Sequence, residues 1–320
     1  MSRSAILLLL VLIAAPGWWA MRPAAPPLFT RLSPAETGVT FTNRIDETDS
    51  LHIFRYEYLY YGNGVGVGDF NNDGRTDLFF SGNTVPHKLY LNQTDSARSG
   101  AWRFTDVTAT AGVAGNGTWG TGVSVVDINA DGLLDVYVCH SGKFTPDKLV
   151  NELFVNQGVT NGVPQFREKA RQYGLDLPGT QTTQAAFLDY DRDGDLDVFI
   201  LNHSNHTFNP LLNTRRLRAT PDMHFGNRLL RNDNGRFTDV TKAEGILNNS
   251  INFGLGVGVG DLNNDGWTDL YTTSDYTEQD CLYLNQHDAA GHHTGFLESI
   301  RSSMGHTSKF SMGCDIADYN

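Results

Sequence analysis

Four nine-residue segments place carboxylates and amides at alternate positions, a spacing suited to wrapping oxygen donors around a hard cation. They read DFNNDGRTD from Asp69 to Asp77, DINADGLLD from Asp127 to Asp135, DYDRDGDLD from Asp189 to Asp197 and DLNNDGWTD from Asp261 to Asp269. All obey D-x-[DN]-x-D-G-x-x-D. Positions 1, 3, 5 and 9 offer side-chain oxygens: Asp69, Asn71, Asp73 and Asp77, then Asp127, Asn129, Asp131 and Asp135. The third segment offers Asp189, Asp191, Asp193 and Asp197, the fourth Asp261, Asn263, Asp265 and Asp269. At position 7 only the main-chain carbonyl is needed, so Arg75, Leu133, Asp195 and Trp267 are free to differ, as they do. The glycine at position 6 supplies a turn that a Cβ would obstruct.

The ion this donor set predicts is calcium, which takes six to eight oxygens in adaptable geometry, whereas magnesium demands a strict octahedron. Zinc is disfavoured because no paired Cys or His ligands accompany the loops. A helical EF-hand is ruled out at position 12, where its bidentate Glu is replaced by Phe80, Val138, Ile200 and Thr272. The four segments gather 14 acidic residues in a chain of net charge −12. Four bound Ca²⁺ would bring that charge to −4, so the expected cofactor is structural: about four ions that offset repulsion and fix the turns.

The loops belong to a longer repeat. Their starts lie 58, 62 and 72 residues apart, and a fifth start at Asp318 follows after 57. Before three of them stand small or β-branched runs, Gly64–Gly68, Gly122–Val126 and Gly256–Gly260; after all four come LFF, VYV, VFI and LYT. Each unit then has an L-x-x-N element ending at Asn92, Asn156, Asn232 or Asn285, and a Phe-led segment starting at Phe104, Phe166, Phe237 or Phe296. Alternation, β-branched and aromatic enrichment, and Gly/Asn/Asp punctuation predict four short strands per unit. The fold class this implies is all-β: a β-propeller of four-stranded blades with calcium loops, four complete blades plus the start of a fifth. Gly64, Gly66 and Gly68 suit the crowding near a propeller axis. The segment Phe29–Val39 resembles an outer strand without its blade and is expected to complete the last blade of a longer protein. The best helix signal, Pro210 to Thr220, lies in the longest spacing.

The units resemble FG-GAP/VCBS repeats, the calcium-loop blades of integrin α-subunit heads; GVGVGDFNNDG from Gly64 to Gly74 carries that resemblance. TGVTFTN from Thr37 to Asn43, followed by YYGNG from Tyr60 to Gly64, is similar to the secreted cartilage-acidic-protein-like (ASPIC/UnbV) group. Members of that group usually carry a C-terminal ASPIC/UnbV segment, which these 320 residues lack. The resemblance covers about residues 28–320 and implies fold and calcium, not a partner.

Arg3, the apolar run Ala5–Ala15 and the Pro16-Gly17 break predict a signal peptide over residues 1–22, with the propeller over 23–320 and a secreted, periplasmic or cell-surface location. The acidic balance argues against nucleic acid, and no later stretch suits stable membrane insertion. Three Cys exclude a disulfide-dense scaffold; Cys139 is expected to be a buried small hydrophobe, and Cys281 with Cys314 could pair across blades. His203 with His206, and His292 with His293, are the His clusters, expected as exposed loop residues. No catalytic motif is present, so the first expectation is a binding or adhesion scaffold for a protein or glycan ligand. The alternative is a calcium-dependent polysaccharide lyase or hydrolase. The insertion carrying Arg215, Arg216 and Arg218 is the basic patch that could attract an anionic ligand.

Overall fold

The computed structural model describes residues 28–318, apart from 96–101, 206–213 and 277. The expected signal peptide therefore lies outside the described residues. Each repeat folds into one four-stranded antiparallel sheet whose strands neighbour one another in chain order. Blade one holds β1 (Val65–Gly68), β2 (Asp77–Phe80), β3 (Lys88–Asn92) and β4 (Phe104–Asp106). Blade two holds β5 (Gly120–Val126), β6 (Asp135–His140), β7 (Glu152–Thr160) and β8 (Val163–Glu168). Blade three holds β9 (Thr182–Leu188), β10 (Asp197–Asn202), β11 (Arg228–Asn232) and β12 (Phe237–Asp239). Blade four holds β13 (Gly254–Gly260), β14 (Asp269–Ser274), β15 (Cys281–His287) and β16 (His293–Glu298). All four strand positions read from the repeat are thus occupied. The acidic loops join the first and second strands of each blade, so they share one end of the molecule.

Stacking of blades explains the burial pattern. β6 and β10 are buried along their whole length, because apolar residues of neighbouring sheets cover both faces. Phe70, Phe79, Leu89 and Leu91 of blade one meet Val136, Val138, Phe154 and Phe166 of blade two. Tyr137, Leu153 and Val155 meet Val198, Ile200 and Leu230; Phe199 and Leu229 meet Leu270, Tyr283 and Phe296. Each such side chain contributes about 1.5–3 kcal/mol on burial, so a blade is stable only against a neighbour.

The inner glycines are explained by the next blade. A Cβ on Gly64 would stand 2.5 Å from the Thr121 carbonyl, and one on Gly66 would stand 2.9 Å from the Val123 and Val125 side chains. Gly256 and Gly258 of blade four are covered by Gly313, Cys314 and Ile316, so the chain after blade four lies along β13 as the fifth unit's beginning should.

The segment before blade one behaves partly as expected. A helical turn, α1 (Pro34–Thr37), is capped by the Ser33 side chain and closed by Gly38 at φ 83°. Gly38 backs onto the Phe104 carbonyl, as Gly112 backs onto that of Phe166, Gly174 onto that of Phe237 and Gly245 onto that of Phe296. Residues 34–38 therefore occupy the place that each blade's outer tail occupies on the next blade. The expected strand from Phe29 does not form; Phe29 is 87% exposed.

Residues 52–61 have no period and gave no strand or helix signal. They lay Tyr56, Tyr58 and Leu59 over the end of the blades opposite the acidic loops, with Trp119, Phe253 and Leu255. Tyr56 Oη lies 2.9 Å from Ser141 Oγ of blade two, and Tyr58 Oη donates to Asp275 Oδ2 of blade four at 3.3 Å. Within the expected helical insertion only α2 (Thr214–Arg218) is formed among the described residues. All three cysteines are free; Cys139 is fully buried, as expected, and Cys281 and Cys314 are half-buried.

Candidate metal centres

Three of the four acidic loops are built by the same local hydrogen bonds, and the third, with Asp191 at position 3, keeps only part of them. In loop one, Asp69 accepts from the backbone N–H groups of Asp73 at 3.0 Å and Gly74 at 2.7 Å. Asp73 accepts from the N–H of Arg75 at 3.0 Å, and Asn71 Nδ2 donates to Asp73 Oδ2 at 2.9 Å. Loops two and four repeat this pattern with Asp127, Asn129 and Asp131, and with Asp261, Asn263 and Asp265. The glycine at position 6 has φ of 83°, 83°, 96° and 85° in turn; a Cβ on Gly74, Gly132 or Gly194 would meet nothing within 4 Å, so the left-handed backbone calls for glycine there, not crowding by neighbours.

Position 9 does more than its sequence reading assigned. Asp77, Asp135, Asp197 and Asp269 are fully buried. Asp77 accepts from the N–H of Phe70 at 3.0 Å and of Asn92 at 2.8 Å; Asp135 accepts from Ile128 at 3.0 Å and Asn156 at 2.7 Å. Asp197 accepts from Tyr190 and Asn232, and Asp269 from Leu262 and Asn285. Each thus clasps its own loop to the third strand. The asparagine ending L-x-x-N completes the clasp: Asn156 Nδ2 donates to Phe70 O of the preceding blade at 2.9 Å, and Asn285 Nδ2 to Tyr190 O at 2.8 Å. This role of the L-x-x-N element is tertiary and could not be read from its spacing.

The loops crowd carboxylates together. Burial pushes the Asp77 and Asp135 carboxyls up to about 6, reinforced by the carboxylates at positions 5 and 1 and opposed by the backbone donors. Asp197 rises to about 7, again through burial first, with the Asp191 and Asp193 carboxylates adding to it, and Asp269 also rises. Loop three is the most crowded, with Asp189, Asp191 and Asp197 oxygens within 4.8 Å of one another. Its position 3 is Asp191, which cannot donate to Asp193 as Asn does in the other loops. Asp189 Oδ1 and Asn71 Oδ1 are buried without a hydrogen-bond partner. These orphaned oxygens, together with carboxylates that retain unused lone pairs, fit a hard divalent cation. Positions 1, 3, 5 and 9 could hold it by their side chains.

Position 7 takes a different course in each loop. Arg75 pairs with Asp73 and donates to the Asn92 carbonyl at 2.7 Å; Leu133 is half-buried; Asp195 Oδ2 accepts from the Asn234 N–H at 3.4 Å. Trp267 is buried, stacked on His287 and covered by Arg192, whose Cζ lies 3.9 Å from its ring centroid.

Position 4 carries a signal that the motif does not show. Asn72, Ala130, Arg192 and Asn264 all have positive φ, between 53° and 64°. Asn72 Nδ2 donates to the Gly132 carbonyl of the next loop at 3.2 Å, and the Arg192 guanidinium reaches the Gly266 carbonyl of the loop after its own. Ala130 tolerates the left-handed backbone poorly and cannot make this bridge. Ala130→Asn is expected to raise stability by about 0.5–1 kcal/mol, read as a higher urea midpoint at unchanged slope.

Histidine placement departs from expectation. His203 is buried, not exposed, and burial lowers its imidazole to about 4; His206 lies outside the described residues. His292 is exposed, whereas His293 is largely buried between Asn285 Oδ1 and Glu244 Oε2. A cluster with no sequence signal, because its members are far apart in the chain, joins His87, His140 and Glu152, all buried with ligand-type atoms within 4.8 Å. The Gly82 N–H donates to His87 Nδ1 at 2.9 Å, which fixes the proton of the neutral ring on Nε2, 3.1 Å from Glu152 Oε2. His87 then has no lone pair to give a metal, and the cluster is a hydrogen-bonded charge site.

Burial opposes ionisation of Glu152, but His140, whose Nε2 lies 3.3 Å from Glu152 Oε2, and the hydrogen bond from His87 win and hold its carboxyl at about 2. A depressed carboxyl stabilises the fold fully above its unfolded value near 4.5, and that contribution is lost as pH falls towards 2. Glu152→Gln is therefore expected to flatten the acid limb of the stability–pH curve between about pH 4.5 and 2, measured by urea unfolding.

Fold and loops together define a class, β-propeller blades carrying acidic strand-joining loops. The FG-GAP-like repeat family matches residues 69–138, which run from the first acidic loop into blade two. The chain is 32% identical over 142 residues to cartilage acidic protein 1 of Xenopus tropicalis, which is 44% of this chain and 20% of that one. The Homo sapiens protein of the same name is 30% identical over 143 residues, 44% of this chain and 19% of that one. The matched region spans about a fifth of the length of these relatives. A solved structure described as an Agrocybe aegerita lectin recognising non-reducing terminal N-acetylglucosamine superposes with TM-score 0.37 at 16% identity, over 72% of this chain and 50% of that one. Among the described residues no helix is long and apolar enough to cross a membrane.

Proposed function

We propose that the protein is a secreted, calcium-stabilised β-propeller that serves as a binding or adhesion scaffold for a protein or glycan. The repeat type and the relatives fit a binding scaffold in general. The observation that carries the calcium reading is the set of buried position-9 carboxylates, pushed up by burial and neighbouring carboxylates, together with the orphaned oxygens of Asn71 in loop one and Asp189 in loop three. A cation in each loop would neutralise these groups and lock the turn from the first strand to the second. Recognition then falls to loops on a stiff frame.

The test is a screen of immobilised glycans and extracellular proteins, run in calcium and in EGTA, with products assayed in parallel. Calcium-dependent capture without turnover supports the scaffold. Release of cleaved sugar would overturn it in favour of a lyase or hydrolase.

A further inference from the structure

We propose that a cavity between blades three and four, at the end opposite the acidic loops, is a subsite for an acidic sugar, a hydroxyl-bearing ring with one carboxylate. The proposal deepens the scaffold reading and rests on it.

The cavity measures about 330 Å³ and is bounded by the approach to β11, the loop entering β13, the loop entering β15 and the short helix after β16. That volume lies at the lower end of the range for small-ligand pockets, suiting one sugar ring better than a peptide. Its wall interleaves donors and acceptors. Asn227 uses Oδ1 to accept from the Asn202 N–H and from Asn252 Nδ2, which leaves Asn227 Nδ2 as a donor and Asn252 Oδ1 as an acceptor without hydrogen bonds among the described residues. Gln279 accepts from Arg301 Nε at 3.0 Å through Oε1 and keeps its Nε2 donor. Tyr283 is fully buried, and its hydroxyl has the Leu247 backbone and the Cys281 thiol near it but no hydrogen bond of good geometry. Adjacent sugar hydroxyls, each both donor and acceptor, match such a wall; an apolar ligand would strand its polar atoms.

Charge selects the acid. Arg218 Nε donates to Glu278 Oε1 at 2.6 Å, so the carboxylate of the cavity is committed to that guanidinium. Arg301 donates only Nε, to a neutral amide, and its terminal nitrogens make no hydrogen bond among the described residues. A guanidinium presented in this way, on a protein of net charge −12, selects a carboxylate that can accept two parallel hydrogen bonds.

The experiment titrates the full chain, in calcium, with D-galacturonate and D-glucuronate, and with galactose and glucose as neutral counterparts, by calorimetry and saturation-transfer NMR. A uronate should bind roughly tenfold or more tightly than its neutral counterpart, as a charge-assisted pair implies. Arg301 is exposed, so Arg301→Gln should leave the melting temperature unchanged and remove that preference. Asn252→Ala should weaken acid and neutral sugars alike. Absence of uronate binding at about 10 mM, far weaker than a built site gives, equal affinity for acid and neutral sugars, or undiminished binding by Arg301→Gln would each overturn the site. If Arg301→Gln retains full capture of an immobilised ligand while uronates fail, the subsite falls and the scaffold stands; if nothing is captured at all, the scaffold reading fails on its own account.

Discussion

Stripping calcium from the purified protein with excess EGTA is expected to lower its melting temperature by about 20 °C, and re-adding calcium should restore it. A site held at a hundredfold excess over its dissociation constant contributes ~2.7 kcal/mol, so four equivalent sites contribute ~11 kcal/mol. At roughly 2 °C per kcal/mol for a domain of this size, that is a large shift. The direction follows from the loops. Their carboxylates are crowded in all four, and in loop three three of them bring oxygens within 4.8 Å with no amide between positions 3 and 5 to relieve them. Asp189→Ala should therefore reduce the calcium-dependent shift without abolishing it. Magnesium at equal concentration should restore less, because it demands a strict octahedron and gives up its waters reluctantly. Thermal scans in the three conditions decide the matter; coincident curves would rule out a structural ion.

The second large effect concerns Asp135. It is fully buried and accepts from the N–H groups of Ile128 and Asn156. Asp135→Ala orphans both donors in the core, at about 1–3 kcal/mol each, so a loss of about 4 kcal/mol is expected. The loss should persist in EGTA, because the clasp does not depend on an ion. Asn156→Ala, which severs the bond to Phe70 O of blade one, should cost about 2 kcal/mol and couple to Asp135→Ala in a double-mutant cycle. Substituting the exposed Asp147 should move stability by no more than about 0.5 kcal/mol. If Asp135→Ala proves as mild as that control, position 9 is not a clasp and its burial has another origin.

What could be read in the sequence was local. The acidic loops were legible because a nine-residue turn brings its own alternate side chains together, whatever the rest of the chain does. The four strands per blade were legible because pleating exposes a period of two, and because Gly, Asn and Asp mark the turns between them. The inner glycines were legible as crowding, but not the neighbours that crowd them, Thr121, Val123 and Val125. Contacts between distant residues left no pattern. Asn156 and Phe70 are 86 residues apart, and His87 lies 65 residues from Glu152. Tyr56 and Tyr58 sit in an aperiodic segment whose place over the blade ends is set by Ser141 and Asp275, not by its own sequence. Left-handed backbone at position 4 was hidden too, because Ala130 and Arg192 are residue types that rarely adopt it.

The most direct test counts the ions. Protein freed of metal and titrated with calcium in a calorimeter should bind about four ions per chain, and Asp69→Ala, Asp127→Ala, Asp189→Ala and Asp261→Ala should each remove one. Binding of no calcium, or a stoichiometry untouched by all four substitutions, would contradict the account at its base.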